Sequence, residues 1–452
     1  MIRRLLAFLA LVVSVTPSWS ASLPRVYVVL VDGLGARSFS AELTPALWDL
    51  THGHEERATF YSNARAVMPA VTNTNHVSIM TGVYAVAHGI VGNHYWERQG
   101  PPAGKPLDRS ELVEVDTLFT AFARARSEAT SAGVFGKWKL ADLFGASEGQ
   151  HAPNHLWADL EADRDVVAAG AALDSDQRTM NEALRTIAAL DPALLFVALG
   201  DVDRREHAYG PDSQEARKAI LQADREIERL VTFVKAKGIW EKTVMIVTSD
   251  HGFAKVAPDG KRPYPTIFFG RELARTGITG VAAVSNGGVE SLYLFGAPAA
   301  TEAAERLKRV RALALTEPEI AEALYRVPNV ADGGREHVLA KVHPDWRFAH
   351  ERAGDLILVA KPGYLFNDPM SPSVGAMRGS HGGPDTLDVP IVVSGGWERI
   401  RSAVVDEAHG AVNADIGMTV RWLLDLPEPR FRSGAPVPAE LRGRVLEEAF
   451  EH

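Results

Sequence analysis

Four short stretches of the chain set carboxylates and imidazoles beside apolar runs. Asp32-Gly33 follows Val26–Val31. Asp203 and His207 follow Leu194–Leu199. Asp250-His251-Gly252 follows Val244–Val247, and His381-Gly382-Gly383 precedes Val389–Val393. Asp203 and His207 are one helical turn apart, so both side chains can meet one ion. A lone Asp at a strand end is more often a turn or cap residue, and a lone His weighs less still. Taken together, three carboxylates and three imidazoles near strand ends supply two metal sites built from N and O donors, as zinc favours where thiolates are absent. The chain has no Cys. That excludes disulfides, thiolate zinc sites, iron–sulfur clusters and cysteine nucleophiles.

These groups need a scaffold that delivers them to one place. The four apolar runs, and a fifth at Ala132–Phe135 before Lys137, read as buried strands of a parallel sheet. Helical stretches separate them at Asp116–Arg126, Gln177–Leu190 and Ser213–Lys237; the last carries Ile220, Ile227, Leu230 and Val234 at helical spacing. Alternation of this kind predicts a doubly wound, mostly parallel α/β sheet with helices on both faces, whose ligands gather at the carboxyl ends of the strands. Asp32, Lys137, Asp203 and Asp250 fall there. From about Arg262 to Phe366 the pattern changes. Gly and Pro are frequent, charged helices are expected at Ala300–Val310 and Glu317–Tyr325, and strand-like runs lie at Ser291–Phe295 and Leu356–Val359. An inserted α+β cap is expected over 263–366, dividing a catalytic α/β domain into 21–262 and 367–452; a decorated long loop is the alternative.

The whole chain has 452 residues and a net charge of −9. An acidic chain is a poor candidate for binding nucleic-acid duplexes. Residues 1–20 read as a signal peptide: Arg3-Arg4, an apolar run Leu5–Val15, then small Ser18 and Ser20 before cleavage. An uncleaved anchor or a buried first helix is the alternative. The segment holds two Arg and no acid, so the remainder carries −11. An exported product, periplasmic or secreted, with no stable membrane insertion after cleavage, is the expectation.

Between the first two strand-like runs lies Met68-Pro-Ala-Val-Thr72-Asn-Thr-Asn-His76, running on to Thr81-Gly82, and then His88-Gly-Ile-Val-Gly-Asn93. With Val31-Asp32-Gly33, the Asp203/His207 pair, Ser249-Asp-His-Gly252 and Ser380-His-Gly-Gly383, the chain resembles the alkaline phosphatase superfamily. The branch is that of nucleotide pyrophosphatases/phosphodiesterases, threonine-nucleophile phosphatases and phosphonoacetate hydrolases. The resemblance implies Thr72 as nucleophile. It implies Asp32, Asp250, His251 and the Thr72 oxygen as ligands of one zinc ion, and Asp203, His207 and His381 as ligands of the other; other divalent transition metals suit the same donors. Asn93 is implied to donate a hydrogen bond to the transferring group. Metal coordination is what makes a Thr hydroxyl a competent nucleophile near neutral pH.

Lys137 and Lys139 are expected to bind the substrate's remaining oxygens, as in related branches that carry a lysine pair. If the segment is extended, both lie on one side with Trp138 on the other. Extra cations favour a phosphomonoester, with diester or pyrophosphate cleavage and phosphonoacetate hydrolysis as alternatives; each substrate is a small phosphate ester or phosphonate. A sulfatase is excluded, because Thr72 stands where that family needs a Cys or Ser. Two rivals come from other classes. Gly145-Ala-Ser147-Glu-Gly149 fits the G-x-S-x-G elbow of esterases, though no strand precedes it. A binding protein that kept the fold without activity is the other, and the filled nucleophile and ligand positions argue against it.

Overall fold

The computed structural model describes residues 23–451 except 54–56, 99, 101–103, 146–148, 150–151, 161–173, 257–264, 297–298, 333–335 and 368–376. The expected signal peptide, Ser147 and the start of the expected cap lie outside the described residues.

The main sheet is built from β1 (Arg25–Val31), β2 (Ala58–Tyr61), β3 (Ser131–Phe135), β4 (His155–Ala158), β5 (Leu194–Leu199) and β6 (Thr243–Thr248). A second sheet holds β7 (Val281–Asn286), β8 (Val289–Leu294), β9 (Ile320–Tyr325) and β10 (Leu356–Ala360), after which β11 (Ile391–Gly395) and β12 (Val404–Asp406) return to the first. The spatial order of the main sheet is β12-β2-β11-β6-β1-β5-β3-β4. All neighbours run parallel except at β11, which is antiparallel to both β2 and β6. This corrects the reading of Val389–Val393 as one more parallel strand. The reversal has a consequence for function. The start of an antiparallel strand lies at the same edge as the ends of its parallel neighbours, so His381, which precedes β11, reaches the edge where Asp32 and Asp250 emerge.

Side chains alternate across β1 and separate two cores. Val26, Val28 and Leu30 pack with α2 (Thr72–Thr81), α3 (Leu118–Ala125), α4 (Trp138–Phe144) and the last helix, Asn413–Leu423. Tyr27, Val29 and Val31 pack with α1 (Pro45–His52), α5 (Ser175–Leu190) and α7 (Gln214–Ala236), and α6 (Asp201–Tyr209) joins β5 to that layer. Burial of the central strands on both faces explains their unbroken apolar sequences. α7 starts where Ser213 Oγ accepts from Ala216 N at 3.1 Å, and it buries Ile220, Ile227, Leu230 and Val234 as their spacing predicts.

The second sheet is antiparallel throughout, in the order β7-β8-β10-β9, with α8 (Phe269–Arg275) and α9 (Ala300–Ala314) packed on it. Glu317–Tyr325, expected as a helix, forms strand β9 instead. Its charges suit an exposed helix, but the apolar strand β10 needs an edge partner, and pairing with β9 buries Ile320, Ala323, Leu324 and Tyr325. Tertiary demand overrides local propensity here.

Candidate active site

Thr72 is the first residue of α2, directly after extended Val71. All ten residues of this helix are buried, the polar Thr72-Asn-Thr-Asn-His76 run included. A helix with no apolar stripe can be buried only if its polar groups find partners. Asn75 Oδ1 accepts from Val67 N at 2.7 Å and from Asn413 Nδ2 at 3.1 Å, and Asn413 Nδ2 also reaches Ser249 O at 3.0 Å. α2 is thereby tied to the segment that carries Asp250. Its far end packs against the last helix at Gly82, where φ is +78° and a Cβ would come within 3.0 Å of Met418 N, so that no side chain fits.

Around Thr72 the structure gathers the expected donors into two groups, Asp32, Asp250 and His251 in one and Asp203, His207 and His381 in the other. In the first, His251 Nε2 stands 3.5 Å from Thr72 Oγ1, 3.7 Å from Asp32 Oδ1 and 3.5 Å from Asp250 Oδ2. In the second, Asp203 Oδ1 stands 3.3 Å from His207 Nε2 and 3.7 Å from His381 Nε2. A tetrahedron with bonds of about 2.0–2.1 Å has edges of ~3.3–3.4 Å, so these separations fit donors around a zinc-sized cation. The tautomers fit as well. Nδ1 of His207, His251 and His381 donates to the carbonyls of Gly379 (3.1 Å), Gly252 (3.2 Å) and Ala70 (3.0 Å), which leaves Nε2 as the free lone pair in all three rings. Asp32 Oδ1, buried, has no hydrogen bond. The donor sets therefore fit two divalent cations. A third acidic group among the described residues, Asp406, His409 and Glu448, lies toward the surface, where Arg444 already pairs with Glu448.

Electrostatics in the site follow from burial and crowding. Burial and then Asp250 push the Asp32 carboxyl well above the usual range, against the pull of Lys137. Burial opposes the charge on Asp203 too, yet Lys137 and His207 hold it well below. Burial lowers His251 to about 4, so its ring is neutral and ligand-ready.

Lys137 bridges the two groups. Its Nζ is 2.7 Å from Asp32 Oδ2 and 2.7 Å from Asp203 Oδ2. The segment is not extended as expected: Lys137 caps α4 and the helix begins at Trp138. The alternation argument for Lys137 and Lys139 therefore fails. Lys137 is buried, Trp138 is 42% exposed, and Lys139 is half-buried, its ammonium pKa lowered by burial and then by Lys137. Asn93 is brought to the helix start, where its Oδ1 accepts from Asn73 N at 2.9 Å, so that its NH2 is the branch left to donate.

Sequence reasoning missed two contributors. His76, present in the sequence only as the last residue of the Thr72 motif, donates from Nδ1 to Thr72 O at 2.9 Å and lies 3.4 Å from Asp250 Oδ2, supporting Thr72 and the first donor group at once. Phe253 sets its ring edgewise to His207 and His381, with centroids 4.8 and 5.2 Å apart. Its place, two residues after His251, was the only signal for it. Tyr95 and Trp96 are buried, Trp96 against Tyr293 of β8.

Comparison with known proteins gives the family and the fold. Residues 26–384 match the family model for type I phosphodiesterase/nucleotide pyrophosphatase. A pyrophosphatase/phosphodiesterase of Schizosaccharomyces pombe, itself uncharacterized, is 28% identical over 239 residues, 51% of this chain and 44% of that protein. A bis(5'-adenosyl)-triphosphatase of Mus musculus is 24% identical over 246 residues, 53% of this chain and 49% of that protein. The chain thus spans about half the length of these curated relatives. Among solved structures, murine ectonucleotide pyrophosphatase/phosphodiesterase 5 superposes with a TM-score of 0.69 at 18% identity, covering 94% of this chain and 100% of that one. It has also been solved as an inactive threonine-to-alanine variant in complex with AMP. Phosphonoacetate hydrolase of Sinorhizobium meliloti superposes with a TM-score of 0.63 at 20% identity, covering 89% and 96%. At these identities the superpositions speak to the fold alone. With the family model matched over most of its length, the chain belongs to the type I phosphodiesterase/nucleotide pyrophosphatase family of hydrolases.

Proposed function

We propose that the protein is an exported two-metal phosphohydrolase that transfers a phosphoryl group from a phosphate ester to Thr72 and then to water, with phosphomonoesters favoured. The observation that carries this reading is the place of Thr72 Oγ1. It stands at a helix start, 3.5 Å from His251 Nε2, beside two buried donor groups and within one residue of the amide that Asn93 holds. Two zinc-type cations, on Asp32, Asp250 and His251 and on Asp203, His207 and His381, would supply the Lewis acidity that makes a hydroxyl and a water nucleophilic near neutral pH. The chain does the rest. In the first transfer the Thr72 Oγ–P bond forms as the bond to the leaving oxygen breaks; in the second, water takes the phosphoryl group and Thr72 is restored. The Asn93 NH2 and the start of α2, apart from Asn73 N, which Asn93 already holds, are disposed to meet the phosphoryl oxygens, where charge develops. Lys137 and Lys139 add positive charge beside them, which a dianionic monoester uses more than a diester does.

A second reading, cleavage of a diester or nucleotide pyrophosphate, is favoured by the family match and by a cavity of about 570 Å³. This cavity begins two residues past Asn93 and is lined by Tyr95, Trp96, Arg98, Arg326 and Arg352 among others. Phosphonoacetate hydrolysis is the third. Residues 1–20 act as the export signal, and 263–366 as the cap inserted in the catalytic domain.

Zinc-loaded protein assayed on p-nitrophenyl phosphate, bis-p-nitrophenyl phosphate and phosphonoacetate tests the proposal. Turnover is expected to be highest on the monoester and lost in Thr72→Ala. Lys139→Ala is expected to harm monoester turnover far more than diester turnover. Equal losses, or Thr72→Ala retaining activity, would remove the reading. The N-terminus of the exported protein is expected at Ala21.

A further inference from the structure

The second sheet touches the active site at the turn between β7 and β8. Asn286 ends β7 and pairs with Val289 across Gly287-Gly288. Asn286 is 5% exposed, and its carboxamide grips the chain at Asn93. Oδ1 accepts from Asn93 N at 2.7 Å and from His94 N at 3.0 Å, while Nδ2 donates to His94 O at 3.1 Å. Two residues further on, the same turn grips the segment that carries His381: Gly288 N donates to His381 O at 2.8 Å. The turn is anchored by Ala360 N, at the end of β10, on Gly288 O and by Phe366 N, outside that sheet, on Gly287 O, both 2.9 Å.

The fit is backbone against backbone. Gly287 has φ +68°, and a Cβ there would overlap the His381 carbonyl oxygen. A Cβ on Gly288 would come within 2.6 Å of Gly383 N, one on Gly92 within 2.7 Å of the Asn286 carboxamide, and one on Gly382 would overlap Asn286 O. Glycines on both sides of a contact, at distances only glycine permits, leave no room for the partners to slide. Asn93 itself is bonded on three sides, by Asn286 at its N–H, by Leu107 N at its carbonyl and by Asn73 N at Oδ1. Of these, only Asn286 is a side chain from outside the main sheet and its loops, and so the one that substitution can remove without touching the backbone.

We infer that the Asn286-Gly287-Gly288 turn is a positioning element built into the active centre, setting the Asn93 amide and the His381 ligand together, so that the second sheet is a fixed wall of the site. The inference rests on the roles given above to Asn93 and His381. Asn286 touches no reacting atom; it acts through Asn93, whose donor is worth most in the transition state. Loss of Asn286 is therefore expected in kcat, not in KM.

The test is a double-mutant cycle on the zinc-loaded full chain, with p-nitrophenyl phosphate, or whichever of the three substrates the wild type turns over best. Asn286→Ala is expected to lower kcat about 10-fold with KM within about 2-fold, and the Asn286→Ala/Asn93→Ala double variant to be no slower than Asn93→Ala alone. Losses that multiply, or a kcat within 2-fold of wild type in Asn286→Ala, would overturn the coupling to Asn93. If Asn286→Ala does not fold, Asn286→Ser runs through the same cycle. The His381 side is read without activity, by zinc per chain. Gly287→Ala is expected to lose about one of two ions while circular dichroism shows the fold retained, and a folded variant that binds both as tightly as wild type would overturn that half. A wild type silent on all three substrates defeats the functional reading instead, and the zinc count still tests the turn.

Discussion

Lys137 is the residue whose surroundings say most about how this site is balanced. Three carboxylates, Asp32, Asp203 and Asp250, are buried within one small volume, and like charges so placed raise each other's energy. The Lys137 ammonium, 2.7 Å from one carboxylate of each group, offsets part of that cost. Removing one partner of a buried ion pair typically costs about 3–5 kcal/mol. Lys137→Met is therefore expected to lower stability to denaturant strongly when the protein is stripped with chelator. Saturating zinc should recover much of the loss, because cations take over the neutralisation and add about 2.7 kcal/mol per site at 100 times the dissociation constant. Urea melts of both proteins with and without zinc measure this; an equal loss in the two conditions would contradict it.

At the scale of elements, the two donor groups depend on how strand ends are held to the helices that follow. β5 passes into α6 through Gly200-Asp201, and Asp203 and His207 follow on that helix. Asp176, at the start of α5, fastens this passage: its Oδ1 accepts from Gly200 N at 2.7 Å and Asp201 N at 3.1 Å. Asp201 Oδ2 returns the bond to Asp176 N at 3.0 Å. Arg204 joins Asp201 at 3.1 Å and reaches Gly136 O, the residue before Lys137. Burial and then Asp201 push the Asp176 carboxyl well above its usual range, so a neutral group suits the position. Asp176→Asn keeps the acceptor and is expected to be close to wild type in stability. Asp176→Ala orphans two buried N–H groups and is expected to lose about 2 kcal/mol or more in denaturant melts, with weaker zinc retention at Asp203 and His207. Similar behaviour of the two variants would show that the acceptor does not matter.

For the whole molecule, α2 is held from several sides, and one restraint responds to pH. His88 Nε2–H donates to Ser78 Oγ at 2.9 Å while its Nδ1 accepts from Ile90 N at 3.1 Å, fastening the loop that leads to Asn93 onto α2. Burial first, then His350 and Arg352, lower this imidazole to about 3. An unfolded His titrates near 6.5. Between those values the unfolded chain binds a proton that the fold refuses, so stability is intact above about 6.5 and falls as pH drops toward 3. The limiting slope is about 1.4 kcal/mol per pH unit. Between pH 7 and pH 5 wild type is expected to lose about 2 kcal/mol more than His88→Asn, as read by urea denaturation at the two values; parallel losses would show that His88 is not the group responsible. Among the described residues no helix is long and apolar enough to cross a membrane.

Residue types within a few positions of one another were enough to read the apolar strands, the helix spacing of α7 and the identity of all six ligand candidates. Asp32, Asp203, His207, Asp250, His251 and His381 were legible as strand-end groups, and Thr72 and Asn93 through their family motifs. The folded chain was needed for the rest: the reversed β11 that returns His381 to the site, β9 as a strand, the helical start at Trp138, Lys137 between two carboxylates, and Asn286 on Asn93. All of these but the helical start at Trp138 join segments tens to hundreds of residues apart. Local propensity carries no term for a contact whose value exists only once both partners have been brought together and water excluded from between them.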